Sequence, residues 1–390
     1  MPEFIAPGVY VEEGSFRSRS IDGVGTSAAA FVGATQIGPR DDELPRLTSV
    51  GDFERHYGDG ADLIYVDGTR TPNFVWHAAR AFFANGGRRL YVGRTCGTEA
   101  APANIVDFEA ALEQLERVLE PAIVAAPGAT FRYERDPQGG QEAKLQAVLD
   151  HAARVRYRFA VIDCGDEQSP AAVAAMRASF DSPSGALYYP WVRVVDPNSG
   201  RELHVPPSGF ICGIFARVDF QRGVWKAPAD EGLAMAAGLE RESSLAEERD
   251  LNSVHVNCLR RIPGRGVLVR GARTLSADPE WKYVPVRRLL LFLEASIDRG
   301  LQWVVFEPND ERLWALVQRM VEDFLFTQWR AGALSGSRTD EAYFVRCDRT
   351  TMTQDDLDNG RLVCLVGVAP VRPAEFVIFR IGQWTRDKKV

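Results

Sequence analysis

Strand-like apolar runs and amphipathic helices take turns along the first half of this chain, and few architectures satisfy both. The run Gly25-Thr26-Ser27-Ala28-Ala29-Ala30-Phe31-Val32-Gly33 opens the series as a buried-strand candidate. A helical pattern over 73–85, with Phe74, Trp76, Ala78, Ala81 and Phe82 apolar, stops at Gly86-Gly87 and leads to the strand Arg89-Leu90-Tyr91-Val92-Gly93. Helical spacing at about 107–119 leads to Ala122-Ile123-Val124-Ala125-Ala126. The same spacing over 141–154 leads to Phe159-Ala160-Val161-Ile162-Asp163, and near 169–178 it leads to a strand stretch at 187–195. These strands are mostly apolar without interruption, so both of their faces must be covered. The alternation predicts an α/β fold: a mixed, largely parallel sheet with helices on both faces.

The second half is less regular at first. Residues 196–283 are richer in Gly, Pro and charge. Periodicity returns as a helix over 286–299, followed by the strand-like Gln302-Trp303-Val304-Val305-Phe306. Pro308-Asn309-Asp310-Glu311 then supplies a cap and an acidic first turn. Leu313, Leu316, Val317, Met320, Val321, Phe324 and Leu325 fall on one helical stripe that ends near Ala331-Gly332. Two strands, 361–368 and 375–381, close the chain. At 390 residues it exceeds the roughly 250–300 that one core usually fills. The expected division is an extended arm at 1–22, an α/β body at 23–275 with a variable outer portion, a C-terminal domain at 276–372 and a β-arm at 373–390.

Both ends carry strand character where chains usually fray. Near the start, Val9 and Val11 alternate with Tyr10 and Glu12, as in a half-buried strand. Near the end, Phe376 and Ile378 fall on one face and Val377, Phe379 and Ile381 on the other. A strand apolar on both faces must be covered and paired, or it aggregates. Such strands either complete their own sheet or are lent to a neighbour.

The net charge of −7 argues against general binding to nucleic acid or an anionic membrane. No apolar run approaches the ~20 residues that span a bilayer. Glu3 and Pro7 interrupt any signal-peptide order, so membrane insertion and secretion by that route are not expected. Cys96, Cys164, Cys212, Cys258, Cys347 and Cys364 are scattered, with no CxxC pair. That pattern suits reduced, buried thiols and synthesis in a reducing compartment, with no metal site and no cofactor expected.

No catalytic set emerges. Gly25-Thr26-Ser27-Ala28-Ala29 resembles the nucleophile segment of subtilisin-type serine proteases, in which the base and its orienting carboxylate precede the serine. Here the first histidine is His56, and small residues packing a buried strand explain the segment more simply. Gly33 to Gly38 has the spacing of a phosphate-binding loop, but Pro39-Arg40 replaces the Lys-Ser/Thr. Gly264-Arg265-Gly266 lacks a third glycine. His56, His77, His151, His204 and His255 stand apart from one another. Asp163 ends an apolar strand and reads first as a helix cap or loop former. Asp355-Asp356-Leu357-Asp358 misses calcium-loop spacing and reads as the start of a short polar helix or turn.

Several segments together resemble the contractile-tail sheath proteins of phages, R-type pyocins and extracellular injection systems. They include Ala6-Pro7-Gly8-Val9-Tyr10-Val11-Glu12-Glu13, the run Gly23 to Gly33, Pro263-Gly264-Arg265-Gly266 and Gly271-Ala272-Arg273-Thr274-Leu275. Further matches are Phe306-Glu307-Pro308-Asn309-Asp310 with Leu313-Trp314, Phe344-Val345-Arg346-Cys347-Asp348 and Asp358-Asn359-Gly360-Arg361-Leu362. The last runs from Val368-Ala369-Pro370 through Glu375-Phe376.

The resemblance implies a subtilisin-like α/β portion without the protease triad. It implies stacked hexameric rings forming a sleeve around an inner tube, with baseplate and terminal cap proteins as further partners. Contraction of the sleeve would drive the tube through a target envelope. It also implies that the terminal arms add strands to neighbouring subunits: Val9, Tyr10 and Val11 from one end, and Phe376, Val377, Ile378, Phe379 and Ile381 from the other. Leu362, Val363, Leu365 and Val366 are then candidates for the receiving strand. Gln354, Asp355, Asp356, Asp358 and Asn359 are candidates for touching the inner tube. The expected particle is a phage tail or tail-like device whose subunits are made in a bacterial cytoplasm. The alternatives are a paralogous sheath copy at the baseplate or cap, a hydrolase using Ser27, and an α/β binding protein whose terminal strands pair internally.

Overall fold

The computed structural model describes residues 20–40, 43–96, 101–136 and 139–375. Strand β1 (Ala29–Gly33) is followed by α1 (Val50–Tyr57), a ribbon of β2 (Leu63–Ile64) and β3 (Arg70–Thr71), and α2 (Phe74–Ala84). The alternation then runs β4 (Leu90–Arg94), α3 (Ile105–Glu116), β5 (Ile123–Ala125), α4 (Gln141–Arg154), β6 (Phe159–Asp163), α5 (Pro170–Ala178) and β7 (Gly185–Tyr189). The helix starts are set by side-chain caps. Asn73 accepts from the Trp76 amide at 3.1 Å, and Ser169 accepts from the Ala172 amide at 3.2 Å.

The glycine-rich middle proves ordered. It contains β8 (Val192–Val195), β9 (Glu202–Val205), α6 (Ser208–Arg222), β10 (Gly238–Leu239), α7 (Leu245–Ser253) and a hairpin of β11 (Val256–Ile262) and β12 (Gly266–Val269). Gly264 and Gly266, whose φ angles are +75° and +76°, form the hairpin turn. Among the described residues, seven strands form the main sheet in the order β12-β11-β7-β6-β5-β1-β4, all parallel except β12. The expected mixed, largely parallel α/β sheet is present.

Side chains alternate cleanly across it. Phe31, Ile123, Phe159, Val161 and Tyr188 pack under α2 and α6, whereas Val32, Val124, Ile162 and Leu187 pack under α3, α4 and α5. The two faces therefore bury two separate cores, as continuous apolar strands require. Helix α6 is buried almost all round, so it lacks the one-sided stripe that would reveal it in the sequence. Its Gly209 and Gly213 let it press on α2: a Cβ there would stand 2.5 Å from the Ala78 Cα and from the Phe82 carbonyl oxygen, respectively.

The last third contains α8 (Val284–Gly300), α9 (Glu311–Arg330), α10 (Thr339–Ala342), β13 (Tyr343–Arg346), α11 (Gln354–Asp358) and β14 (Leu365–Val368). Helices α8 and α9 share their own core of Leu289, Leu293, Met320, Val321, Phe324 and Leu325. No described helix is long and apolar enough to cross a membrane.

Three sequence expectations are corrected. Residues 302–306 are not a strand; Gln302–Val304 is a 3-10 turn, with Trp303 and Val304 packed near Leu313 and Trp314. Four apolar residues in a row cannot by themselves distinguish a strand from a tight turn. The 187–195 stretch is two strands, because Pro190 interrupts the ladder and β8 leaves the main sheet to pair with β9 and β10. The closing strand starts at Leu365 and not at 361.

Candidate assembly interface

Strands β13 and β14 form an antiparallel ribbon that pairs Tyr343 with Val368, Phe344 with Gly367, Val345 with Val366, and Arg346 with Leu365. Tyr343, Val345 and Val368 lean on the α8–α9 core. On the ribbon, Phe344 is 57% exposed, and Leu365 and Val366 are also open to solvent. The Phe344 ring lies across Gly367, where a Cβ would come within 2.1 Å of it. Among the described residues this ribbon has no third strand. Each of its strands therefore pairs along one edge, leaving peptide groups on the other edge for an added strand.

The chain leaving β14 is held at defined points. The Ser335 amide donates to the Ala369 carbonyl at 2.7 Å, the Ala369 amide to the Ala342 carbonyl at 2.8 Å, and the Val371 amide to the Ala333 carbonyl at 3.2 Å. At Glu375 the carboxylate takes two hydrogen bonds from Arg273, at 2.8 and 2.7 Å, and one from the Tyr283 hydroxyl at 3.2 Å. Burial alone would raise the Glu375 pKa, but the Arg273 hydrogen bonds and charge, with Lys282, draw it below the ordinary glutamate value. The described chain begins from a comparable anchor. Ile21 is buried against Gly300, and the Val24 amide donates to the Ser296 hydroxyl at 3.1 Å, so this segment lies across α8.

A buried ion pair ties these parts together. Arg288 on α8 donates to both carboxylate oxygens of Asp219 on α6, at 2.8 and 2.6 Å, and both side chains are only 4% exposed. Thr26 completes the set: its hydroxyl donates to Asp219 at 2.6 Å and its carbonyl accepts from Arg288 at 3.2 Å. Arg288 also lies over the Phe215 ring, 4.5 Å from its centre. Thr26, and not its neighbour Ser27, is thus the polar side chain joined to this network.

Of the proposed receiving residues, Leu365 and Val366 stand on β14, whereas Leu362 and Val363 precede it and pack in the cluster with Leu313, Trp314 and Val317. The segment Gln354–Asp358 is a short helix, α11, started by a reciprocal cap between Thr353 and Asp356. Gln354, Asp355 and Asp358 are exposed on it, Asn359 is exposed just after it, and Asp356 is half-buried in its cap. Val9, Tyr10, Val11, Phe376, Val377, Ile378, Phe379 and Ile381 lie outside the described residues.

Ser27 is half-buried just before β1. The histidines are placed by other contacts: His151 meets Arg158, His204 meets Glu240, and His77 sits edge-on to Trp76. Asp163 is a cap, as its position suggested. It accepts from the Ser208 amide at 2.7 Å and the Ser208 hydroxyl at 2.6 Å at the start of α6, and desolvation pushes its pKa up to about 7. Sequence reasoning missed the Arg273–Glu375 pair, although both residues lie in segments quoted for the family resemblance. It missed Arg288–Asp219 because α6 went unrecognised.

Comparison with known proteins gives a consistent result. The family described as phage tail sheath protein central domain matches residues 103–275, and the phage tail sheath C-terminal domain matches residues 276–383. A putative prophage major tail sheath protein of Pseudomonas aeruginosa is 24% identical over 277 residues, covering 69% of this chain and 67% of that protein. Among solved structures, the helical sheath of the anti-feeding prophage in its contracted state is 31% identical, with a TM-score of 0.77 over 97% of this chain and 99% of that one. The contracted sheath of an extracellular contractile injection system (PVC) is 28% identical, with a TM-score of 0.75 over 99% of each chain. A chain of the anti-feeding prophage baseplate is also 31% identical, with a TM-score of 0.75 over 97% of this chain and 99% of that one.

Proposed function

This chain belongs to the contractile tail sheath family and is a sheath subunit, and we propose that it binds its neighbours by strand addition to the β13–β14 ribbon. The observation that carries the reading is the unfinished ribbon with its exposed Phe344, Leu365 and Val366. The arms at 1–22 and 373–390 would supply the added strands, through Val9, Tyr10 and Val11 and through Phe376, Val377, Ile378, Phe379 and Ile381. The anchors at Ile21 and Glu375 suit this role, because each fixes the base of an arm to its own subunit. Each main-chain hydrogen bond of an added strand contributes about 0.5–1.5 kcal/mol net, and apolar side chains add to this.

Head-to-tail strand lending does not close on itself, so it propagates a lattice. We read residues 23–275 as the body that moves and 276–372 as the domain that carries the coupling. The expected assembly is stacked six-membered rings around an inner tube, with the acidic, exposed α11 as the part turned toward the tube. Baseplate and cap proteins are the expected contacts at the two ends. The assembly would act by contraction and hold no catalytic centre: the α6 cap and the buried ion pair account for Asp163 and Asp219 structurally. The baseplate relative supports a second reading, a copy placed beside the baseplate. Density at defined heights of an isolated particle separates the two.

The test is a chain lacking residues 1–13, purified and imaged by electron microscopy beside the full chain. The expected result is ridged hollow tubes from the full chain and a folded monomer from the truncated one. Tubes formed equally by both would overturn strand lending.

A further inference from the structure

The ribbon register places two thiols opposite each other. Arg346 faces Leu365 in the last ladder pair of β13 and β14, so the next step of an antiparallel ribbon sets Cys347 against Cys364. Both cysteines are free, and both pack into one cluster with Leu313, Trp314 and Val317. Residues directly opposed in such a ribbon have Cα atoms about 4.5–5.5 Å apart, within the range a disulfide spans without backbone movement. Cys347 is buried among Leu313, Trp314, Val317 and Met352, while Cys364 is half-buried at the edge of that cluster.

We propose that Cys347 and Cys364 form a reversible disulfide that staples β13 to β14, with a small-molecule disulfide as oxidant. The two thiols are unequal in access: Cys347 is buried and Cys364 is half-exposed. A dissolved oxidant therefore meets Cys364 first, which makes Cys364 the attacking thiolate and Cys347 the resolving group. The Cys364 sulfur attacks one sulfur of the oxidant, whose S–S bond breaks and releases one thiol. Cys347 then loses its proton and attacks the Cys364 sulfur, and the second thiol leaves. Two protein thiols are oxidised, one small-molecule disulfide is reduced, and the two protons end on the two released thiols.

The staple would act on more than the ribbon. The bond closes a loop over residues 348–363 that contains all of α11. Thr351 already ties this loop inward through its hydroxyl, which donates to the Val363 carbonyl at 2.7 Å. Oxidation would thus hold in place both the ribbon that accepts a strand and the acidic helix beside it. The remaining cysteines provide an internal contrast: Cys96, Cys164, Cys212 and Cys258 are all buried, and desolvation raises each of their pKa values.

The full chain is treated with glutathione disulfide under native conditions, digested and mapped by mass spectrometry. The expected product is a peptide pair joined through Cys347 and Cys364, with free thiols falling from six to four, a loss of two. Cys347→Ser should trap glutathione on Cys364, and Cys364→Ser should take up none. Amide exchange over residues 348–363 should slow in the oxidised chain and recover with a dithiol reductant. Failure of the Cys347–Cys364 peptide to form, or first reaction at another cysteine, would overturn the proposal. The mapping on the unmutated chain decides this even if a serine variant folds poorly.

Discussion

Arg273, just after the β11–β12 hairpin, holds Glu375 by two hydrogen bonds of 2.8 and 2.7 Å across 102 residues of chain. The pair joins the body to the last described residue, so whatever follows residue 375 starts from a fixed point. Under the proposed strand lending, this ion pair would keep the base of the lent strand from peeling away.

Glu375→Gln removes the charge while keeping the shape. Assembly should weaken, and exchange protection over residues 369–375 should fall, while the melting temperature of the monomer changes little. The pH dependence has a defined sign. The folded pKa of Glu375 is depressed, so its contribution is present above the unfolded value and is lost as pH falls through the folded one. Acidification below the ordinary glutamate range should release the segment before the body unfolds, as read by exchange at moderate and low pH.

Breaking the buried Arg288–Asp219 pair should be the costlier change. Arg288→Met leaves the Asp219 carboxylate buried without its ion-pair partner and is expected to destabilise the chain by about 3–5 kcal/mol in denaturant titration. The double variant with Asp219→Leu should recover part of that loss. A double variant as damaged as the single one would mean that packing, and not charge, carries the contact.

Asp163 gives the opposite pH sign. Its folded pKa is raised to about 7, whereas an unfolded aspartate titrates near ~3.9, so the folded chain binds the extra proton between these values. Its share of stability is present at the acid end and is lost as pH rises through that window. Asp163→Asn should flatten this part of the pH–stability curve. Asp163→Ala leaves the Ser208 amide without its acceptor at the start of α6 and should cost about 1–3 kcal/mol.

On the ribbon, Leu365→Lys with Val366→Lys should abolish tubes yet shift monomer stability by only about 0.5 kcal/mol, because both side chains lie on the exposed surface. Sedimentation separates the outcomes: tubes that persist would place the contact elsewhere.

Phe306 marks a second surface. It is fully exposed and sits at a φ of +72°, a conformation costly for a bulky residue. Phe306→Gly should raise monomer stability by about 1 kcal/mol through relief of that conformation. A simultaneous drop in tube formation would identify the ring as a contact between subunits.

Much of this molecule was legible before any coordinates. The parallel strands announced themselves because both of their faces are covered, which forces uninterrupted apolar runs such as Phe159 to Ile162. Helices α2, α4, α5 and α9 could be read from caps and stripes, since Asn73, Ser169 and Asp310 act locally. Local physics failed where the environment is uniform or the run is short. Helix α6 is buried on nearly every side and so has no stripe, and Gln302-Trp303-Val304 is too short a run to choose between strand and turn.

Composition and periodicity by themselves determined the class of fold, the two-sided burial of the sheet and the apolar character of the runs at 9–11 and 376–381. Each of these depends on neighbours within a turn or two of chain. Which residues come together across the fold was decided only in three dimensions: Arg273 with Glu375, Arg288 with Asp219 and Thr26, and Cys347 with Cys364 through the ribbon register. Such pairs lie from 17 to more than 250 residues apart, and pairing at that range is set by sheet order and helix packing, which no local pattern encodes.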